Sequence, residues 1–241
     1  MSVSVILEAS SSHRLVMSHY APEEECRPHK HDRAQISLLL AGGYVEESEQ
    51  GHARAEGPSL SRKPGGFEHQ NRFGAAGALI LSLNLDKTPA PDRYFVAGGL
   101  EDLSGGALRR LANDSSAIAA LAERVPPGLP PMAAPPGPWL AAAHHRLLTE
   151  SGLNVGVLAR TQGLHPVRFA RLFREAFAQS PTAARQNRRA ARAVDRLLRS
   201  GTPLAEIAAA EGFADQAHLS RVISRMTGWS PGRLRRLFAG A

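Results

Sequence analysis

The spacing of apolar residues changes near the middle of the chain. From Val3 to about Leu85, short apolar runs such as "QISLLLAGG" and "ALILSLNL" alternate with turn signals such as "SEQGH", "KPGG" and "RFGAAG". Many short strands separated by glycine-rich turns are typical of a sandwich or a small barrel. After Pro138 the apolar residues recur three and four positions apart, which indicates amphipathic helices. The pattern predicts a multidomain protein with an all-β N-terminal part and an all-α C-terminal part.

The segment between these two parts fits neither pattern. "GALRRLANDSSAIAALAERV" predicts two short helices, with Asp114 or Ser115 as the N-cap of the second. "PPGLPPMAAPPGP" is too rich in proline for a helix or a sheet and is typical of a stiff linker. We therefore divide the chain into a barrel domain (1–90), short helices with a proline-rich linker (91–137) and a helical domain (138–241).

The helical domain contains an internal repeat. "LNVGVLARTQGLHPVRFARLFREAF" and "TPLAEIAAAEGFADQAHLSRVISRM" each combine a short helix, a glycine turn and a second helix with outward polar residues. Such a pattern is typical of helix-turn-helix units, which we place at 154–178 and 203–227. The helix predicted between them, Pro181 to Ser200, is about 30 Å long. This length is close to the ~34 Å of one DNA turn. The repeat predicts two recognition helices that enter successive major grooves.

The distribution of charge agrees with a polyanionic partner for the helical domain only. Residues 137–241 contain 16 arginines, no lysine and 6 acidic residues, whereas residues 1–136 contain 13 basic and 16 acidic residues. A basic domain attracts nucleic acid. The same composition also occurs in a merely soluble, arginine-rich domain.

The C-terminal residues resemble a known family. "GFADQAHLSRVISRMTGWSPGRLRR", preceded by "LAEIAAAE", is similar to the signature of the AraC/XylS family of bacterial transcription regulators. The resemblance covers roughly Pro138 to Phe238 and departs from the family pattern at Ile223 and Trp229. It implies a cytoplasmic, sequence-specific DNA-binding regulator, commonly an activator, that works with RNA polymerase and responds to an effector.

By this resemblance, the second helix of each repeat reads base pairs, and other arginines contact phosphates. Arginine suits guanine because two N–H groups of its guanidinium can donate to O6 and N7 together. Val167 and Ala217 can contact only a thymine methyl group. Each single arginine can equally be a solvated surface charge. The base-reading candidates are His165, Val167, Arg168, Arg171, Gln216, Ala217, Ser220 and Arg221, with His218 as a further one; the phosphate candidates are Arg188, Arg189, Arg192, Arg233, Arg235 and Arg236.

Histidines mark a second candidate site in the N-terminal part. "RPHKHDRAQ" and "KPGGFEHQNRF" supply His29, His31, Gln35 and His69. These stretches resemble the two cupin motifs, and regulators of this type often carry a cupin-like sensor barrel. The resemblance implies a divalent metal site for Zn, Fe, Mn or Ni, in which Gln35 replaces the usual glutamate and is a poorer ligand. Polar lining of a barrel that has lost its metal is the alternative interpretation.

Several other features allow more than one interpretation. Ile36, Leu38, Leu40, Phe67 and Phe95 are candidates for lining an effector pocket, or they are plain core. The helices predicted around 108–125 are candidates for homodimer contacts, or they simply pack on the barrel. A cupin-type metal-binding enzyme with a helical interaction module is the alternative function, but it leaves the basic half unexplained; we expect no catalytic residues.

The remaining features of the sequence bear on location. The single cysteine, Cys26, cannot form an internal disulfide, which fits a reducing compartment. The first residues lack the basic and apolar regions of a signal peptide, and no apolar run is long enough to span a bilayer. We therefore expect no membrane partner.

Overall fold

The computed structural model describes residues 2–86, 94–98, 137–150 and 153–240, and isolated positions 110, 114, 116, 118 and 120. Its N-terminal part is an antiparallel sheet and its C-terminal part is helical, so the predicted fold class is confirmed. The predicted proline-rich linker and most of the predicted dimer-contact helices lie outside the described residues. None of the described helices combines the length and hydropathy needed to cross a membrane.

One antiparallel sheet of eight strands forms the N-terminal part. The two longest strands, β4 and β7, pair along most of their length and hold the others. Two strands, β2 and β3, pair with different parts of β7, and β1 pairs with the other edge of β2. Two others, β5 and β6, pair with different parts of β4. The strands are β1 (Val3–Ala9), β2 (His13–Tyr20), β3 (Glu25–Lys30), β4 (Ala34–Ser48), β5 (Gly51–Glu56), β6 (Ser59–Lys63), β7 (Glu68–Leu85) and β8 (Phe95–Ala97).

Irregular pairing divides the sheet into two halves. The register between β4 and β7 shifts at Leu39/Ala41 and at Gly42/Tyr44, as expected of β-bulges. Gly42 and Gly77 both have positive φ, 84° and 66°. A Cβ on Gly42 would lie 1.9 Å from the Gly77 carbonyl oxygen, so only glycine allows the two strands to approach here.

Alternating residues of β4 contact different neighbours. Gln35 and Ser37 face a cavity that residues from both halves of the sheet enclose, whereas Ile36, Leu38 and Leu40 pack in the main hydrophobic core together with the helices. The candidate effector lining therefore fails for these three apolar residues. Phe95 lies in the same core, and Phe67 stacks on Tyr94 with ring centroids 4.6 Å apart.

Helices form the described C-terminal part, and the sequence predicts where most of them begin. A proline occupies the first turn of four of these helices, where its missing N–H costs nothing. Ser180 and Ser230 cap two of those by accepting from backbone N–H groups. The helices are α1 (Pro138–Thr149), α2 (Val155–Thr161), α3 (Pro166–Phe177), α4 (Pro181–Arg199), α5 (Leu204–Ala210), α6 (Gln216–Thr227) and α7 (Pro231–Phe238).

The sheet and the helices share one core. Buried Ala190, Ala193 and Val194 on α4 belong to the same cluster as Leu15 and Leu81 on the sheet. α1, α2, α3 and the start of α4 enclose a separate core around Phe169, Phe173 and Phe177. The second helix-turn-helix unit is therefore fixed to the sheet, while the first has its own core.

Two histidine–carboxylate pairs cross between the sheet and the helices. His19 Nε2 lies 3.2 Å from Asp195 Oδ1 on α4, and His144 Nε2 on α1 lies 2.8 Å from Glu56 Oε2 on β5. These atoms meet as ion pairs without the alignment of a good hydrogen bond. Because both imidazoles are buried, the pairs restrict how the two parts of the protein dock.

Candidate nucleic-acid interface and histidine cluster

The two repeats fold as two similar units, α2–α3 and α5–α6. Gly163 and Gly212 follow the first helix of each unit with φ of 64° and 73°, a conformation that favours glycine. Buried Ala159 and Ala208 allow the paired helices to approach closely. The helix-turn-helix arrangement predicted from the repeat is therefore present twice.

The second turn is one residue longer than the first. The glycines are 49 positions apart, whereas the helix N-caps, His165 and Asp215, are 50 positions apart. With this offset, buried Phe169 is equivalent to buried Leu219, and exposed Arg171 is equivalent to exposed Arg221. Arg171 and Arg221 therefore occupy equivalent positions in the two helices.

Most base-reading candidates lie on exposed surfaces of α3 and α6. Val167 is 72% exposed, the highest value among the exposed large apolar side chains. Arg171 forms an ion pair with Glu175 at 3.7 Å, but both side chains are largely exposed, so the pair contributes little. His165 accepts from the Val167 N–H through Nδ1, which leaves Nε2 as the donor. Arg168, Gln216, Ala217 and Arg221 are exposed, and Ser220 and His218 are half-buried.

The phosphate candidates divide into two groups. Arg189, Arg233 and Arg236 are exposed, and no described carboxylate pairs with them. Arg235 instead donates to the carbonyl oxygens of Leu197 and Thr202, at 3.2 and 2.6 Å, and thereby holds the end of α4.

Arg188 and Arg192 are also engaged within the protein. Arg188 is half-buried where the helices meet the sheet, and Arg192 pairs with Glu211. Phosphate contact stays a prediction for all six arginines, and the structure favours Arg189, Arg233 and Arg236, which are exposed and have no described carboxylate partner.

Glu211 is a structural residue that the sequence did not single out. It ends α5, is 6% exposed, and its oxygens lie 2.8 Å from Arg192 Nε and 2.9 Å from Arg196 Nε. This buried carboxylate fixes α5 against α4. Its place directly before Gly212 in the turn is the signal by which it could have been found.

Three histidines come together on the cavity side of the sheet. His29 and His69 are cross-strand partners on β3 and β7, and His31 follows β3. One ring nitrogen of each lies within 4.8 Å of those of the other two. Gln35 lines the same cavity of about 110 Å³, as does Cys26, and donates through Nε2 to Asn84 Oδ1 at 3.0 Å. Only its side-chain oxygen is then free to act as a ligand atom.

Hydrogen bonding and burial prepare these histidines to act as ligands. His29 Nδ1 lies 2.8 Å from the Arg27 carbonyl oxygen and His69 Nδ1 lies 3.3 Å from that of Phe67. Donation to these carbonyls leaves each Nε2 as an acceptor, as in many metal sites. Burial, together with the Lys63 ammonium, lowers the pKa of His69 to about 4. Burial and His29 lower the pKa of His31, so both rings are neutral at pH 7.

Glu46 and Lys63 lie beside these histidines and were not predicted. Lys63 Nζ is 2.6 Å from Glu46 Oε2, which also accepts from Asn71 Nδ2 at 2.8 Å and lies 3.8 Å from His69 Nε2. Burial raises the pKa of Glu46, but Lys63 and Asn71 outweigh it and bring that pKa below its ordinary value. The carboxylate is therefore charged and offsets the lysine, which would otherwise repel a cation.

Comparisons with known proteins agree with the C-terminal geometry. Residues 158–237 match the family described as a helix-turn-helix domain. The chain is also 32% identical over 88 residues to the arabinose operon regulatory protein of Escherichia coli strain K12. The aligned residues make up 36% of this chain and 30% of that protein. The C-terminal region is thus a helix-turn-helix domain of the AraC type, and the resemblance is confirmed there. The chain spans about a third of the length of this curated relative.

Solved structures resemble separate parts of the chain. The C-terminal domain of AraT, a response regulator from Geobacillus stearothermophilus, is 24% identical and covers 43% of this chain and 88% of its own, with a TM-score of 0.39. KdgF from Halomonas sp. is 18% identical to this chain, and the match covers 36% of this chain and 81% of KdgF, with a TM-score of 0.33. A cupin domain from Bordetella pertussis Tohama I is 12% identical to this chain, and the match covers 36% of this chain and 94% of that domain, with a TM-score of 0.32.

Proposed function

We propose that this protein is a transcription regulator that binds specific DNA sequences through both helix-turn-helix units. The observation that carries the proposal is the pair of recognition helices, each with an exposed polar surface at an equivalent position. The match to a helix-turn-helix domain over residues 158–237 supports it. Acting on DNA places the protein in the cytoplasm, and RNA polymerase is the partner that the family resemblance suggests.

The length of α4 supports binding in two successive grooves. Its 19 residues give a helix of about 28 Å between the two units, close to the ~34 Å repeat of one DNA turn. The sheet packs on the buried side of α4 and does not cover Arg171, Gln216 or Arg221, which stay exposed in the full chain. DNA can therefore reach both recognition helices without the sheet moving away.

The N-terminal sheet is, in this proposal, the effector-responsive part. The fixed docking of α4 on the sheet supports it, because a change in the sheet is transmitted to the second unit through their common core. Paired histidine and carboxylate groups, His19 with Asp195 and His144 with Glu56, offer two further points of transmission.

We also propose that His29, His31 and His69 hold a divalent transition metal. Three imidazoles close enough to share one ion support this, as do the Nδ1 contacts of His29 and His69 with backbone carbonyls and the lowered pKa of His31 and His69. Glu46 offsets the charge of Lys63 nearby. The ion would supply a fixed positive charge inside the sheet and a point to which an effector oxygen can bind.

The test of the regulator proposal uses the full chain, because the second unit shares its core with the sheet. DNA from the region upstream of its own gene and scrambled DNA of the same composition are titrated at several salt concentrations. We expect tighter binding to the upstream region, on the scale of 10³-fold or more over scrambled DNA. Equal binding to both would show only non-specific attraction. A tightly held ion without any DNA affinity would favour the alternative, a cupin-type enzyme with an interaction module.

A further inference from the structure

A second cavity lies between the sheet and the helices, apart from the base-reading candidates on α3 and α6 and from the three histidines. It has a volume of about 260 Å³ and is lined from one side by the bulged part of β4, β5 and β7 and from the other by α1, α4 and Gln179. The interface beside it is tight: a Cβ on Gly57 would lie 2.6 Å from Asn187 Nδ2 and 2.9 Å from Gln179 Oε1. The cavity is therefore not a consequence of loose docking.

Three arginines line this cavity. Arg54 and Arg72 come from β5 and β7, and Arg188 comes from α4. Arg188 Nε is buried and has no hydrogen-bond partner among the described residues. A buried N–H group without an acceptor is costly, because it has left water without gaining a hydrogen bond. Burial and the neighbouring Arg192 lower the pKa of Arg188, and the more distant carboxylates of Glu23, Glu56 and Glu211 offset this only in part.

The acidic residues that line the cavity do not satisfy Arg188. Glu56 is held by His144 at 2.8 Å and by Arg54 at 3.6 Å. Glu23 is exposed, and neither acid forms an ion pair with Arg188. Acceptor atoms of a ligand would fill the position that the protein leaves open.

The lining also has an apolar and aromatic part, beside polar residues such as Gln179 and Asn187. Leu148 contributes from α1, and Tyr44 and Phe73 contribute from the sheet. Tyr44 and Phe73 also line the cavity that contains the three histidines, so this pair separates the two cavities. A ligand in the outer cavity thus touches a wall of the inner one.

We infer that the cavity between the sheet and the helices binds a small organic acid, with its acidic group at Arg188 and Arg72 and its apolar part against Phe73 and Leu148. This inference rests on the proposed regulator function and names the class of effector. Because the ligand contacts both parts of the protein, its binding energy depends on how they are docked. Ligand binding therefore changes DNA affinity by the same factor by which DNA changes ligand affinity.

The test uses hexanoate as the probe, with the full chain and calorimetric titration. Hexanamide is the neutral match and inorganic phosphate carries the charge without the apolar chain. The variants are Arg188→Gln and the exposed Arg72→Gln, and the matched control is Arg14→Gln, an exposed arginine on β2 that does not line the cavity. Circular dichroism of each variant verifies that it is folded.

We expect hexanoate to bind once per chain and hexanamide not to bind. Arg188→Gln and Arg72→Gln each weaken hexanoate binding about tenfold or more, as loss of a charged hydrogen bond does, and Arg14→Gln changes it less than about twofold. The inference is wrong if hexanoate does not bind at millimolar concentrations, or if all three variants bind it equally. Phosphate that binds as tightly as hexanoate would overturn the organic-acid class.

Measuring DNA binding in the absence of hexanoate distinguishes failure of this inference from failure of the regulator proposal on which it rests. If the protein binds DNA specifically but hexanoate neither binds nor alters that affinity, only the ligand site is wrong. If specific DNA binding is absent, the regulator proposal fails, whatever hexanoate does. In the wild-type protein we expect saturating hexanoate to change DNA affinity at least about fivefold, and in Arg72→Gln we expect the same change to need about tenfold more hexanoate.

Discussion

Replacement of Arg221 by alanine separates base reading from general attraction to DNA. Arg221 lies in the second turn of α6, is exposed, and no described carboxylate forms an ion pair with it. The change leaves the fold almost unaffected, within about 0.5 kcal/mol of unfolding free energy, as is usual for exposed side chains. A bidentate contact to guanine contributes about 1–3 kcal/mol of discrimination, which corresponds to about 5- to 150-fold in affinity.

The assay measures the affinity of the protein for its best site and for each single-base-pair substitution of that site. We expect the wild type to discriminate at one base pair where Arg221→Ala does not, while the other positions keep their preferences. Arg225→Ala is the matched control, because Arg225 is equally exposed and lies one turn further along the same helix. A uniform loss of affinity on every sequence would refute base reading and would show that Arg221 contacts a phosphate.

Four further changes test other parts of the structure. Phe173→Ala removes a fully buried ring from the core of the first unit and should lower the unfolding free energy by about 3–5 kcal/mol in urea denaturation. Arg235→Ala should lower it by about 1–3 kcal/mol, since two carbonyls lose a charged donor, and should leave the salt dependence of DNA binding unchanged. Arg189→Ala should weaken binding to all sequences and reduce the salt slope by about 0.9, and an unchanged slope would exclude a phosphate contact. His31→Ala should abolish metal retention after dialysis, measured by elemental analysis, whereas exposed His52→Ala should retain it; a metal-free wild type would contradict the site.

The sequence was most informative where local chemistry decides the structure. Proline at the start of helices, serine caps and glycine turns act over a few residues, so the helices of both units are predicted close to their observed ends. The equivalence of Arg171 and Arg221 is also a local property, because each is fixed by its distance from its own N-cap.

Long-range pairing was not available from the pattern. The side of β4 that faces the cavity depends on how β4 pairs with β7 and where the bulge lies, so the sequence left open whether Ile36, Leu38 and Leu40 line a pocket or belong to the core. Glu46 lies 17 positions before Lys63 in the sequence, and only the sheet places its carboxylate against that ammonium. Arg235 carries the sequence signature of a phosphate contact, and its engagement with the end of α4 becomes visible only in three dimensions.

The most direct test of the central claim is a methylation-interference experiment on the selected DNA site with the full chain. Methyl groups on guanine N7 block access to the major groove. The account predicts two groups of interfering guanines on one face of the DNA, separated by about one helical turn of 10–10.5 base pairs. A single interfering group, or none at a site that the protein still binds specifically, would contradict the claim that both helix-turn-helix units read DNA.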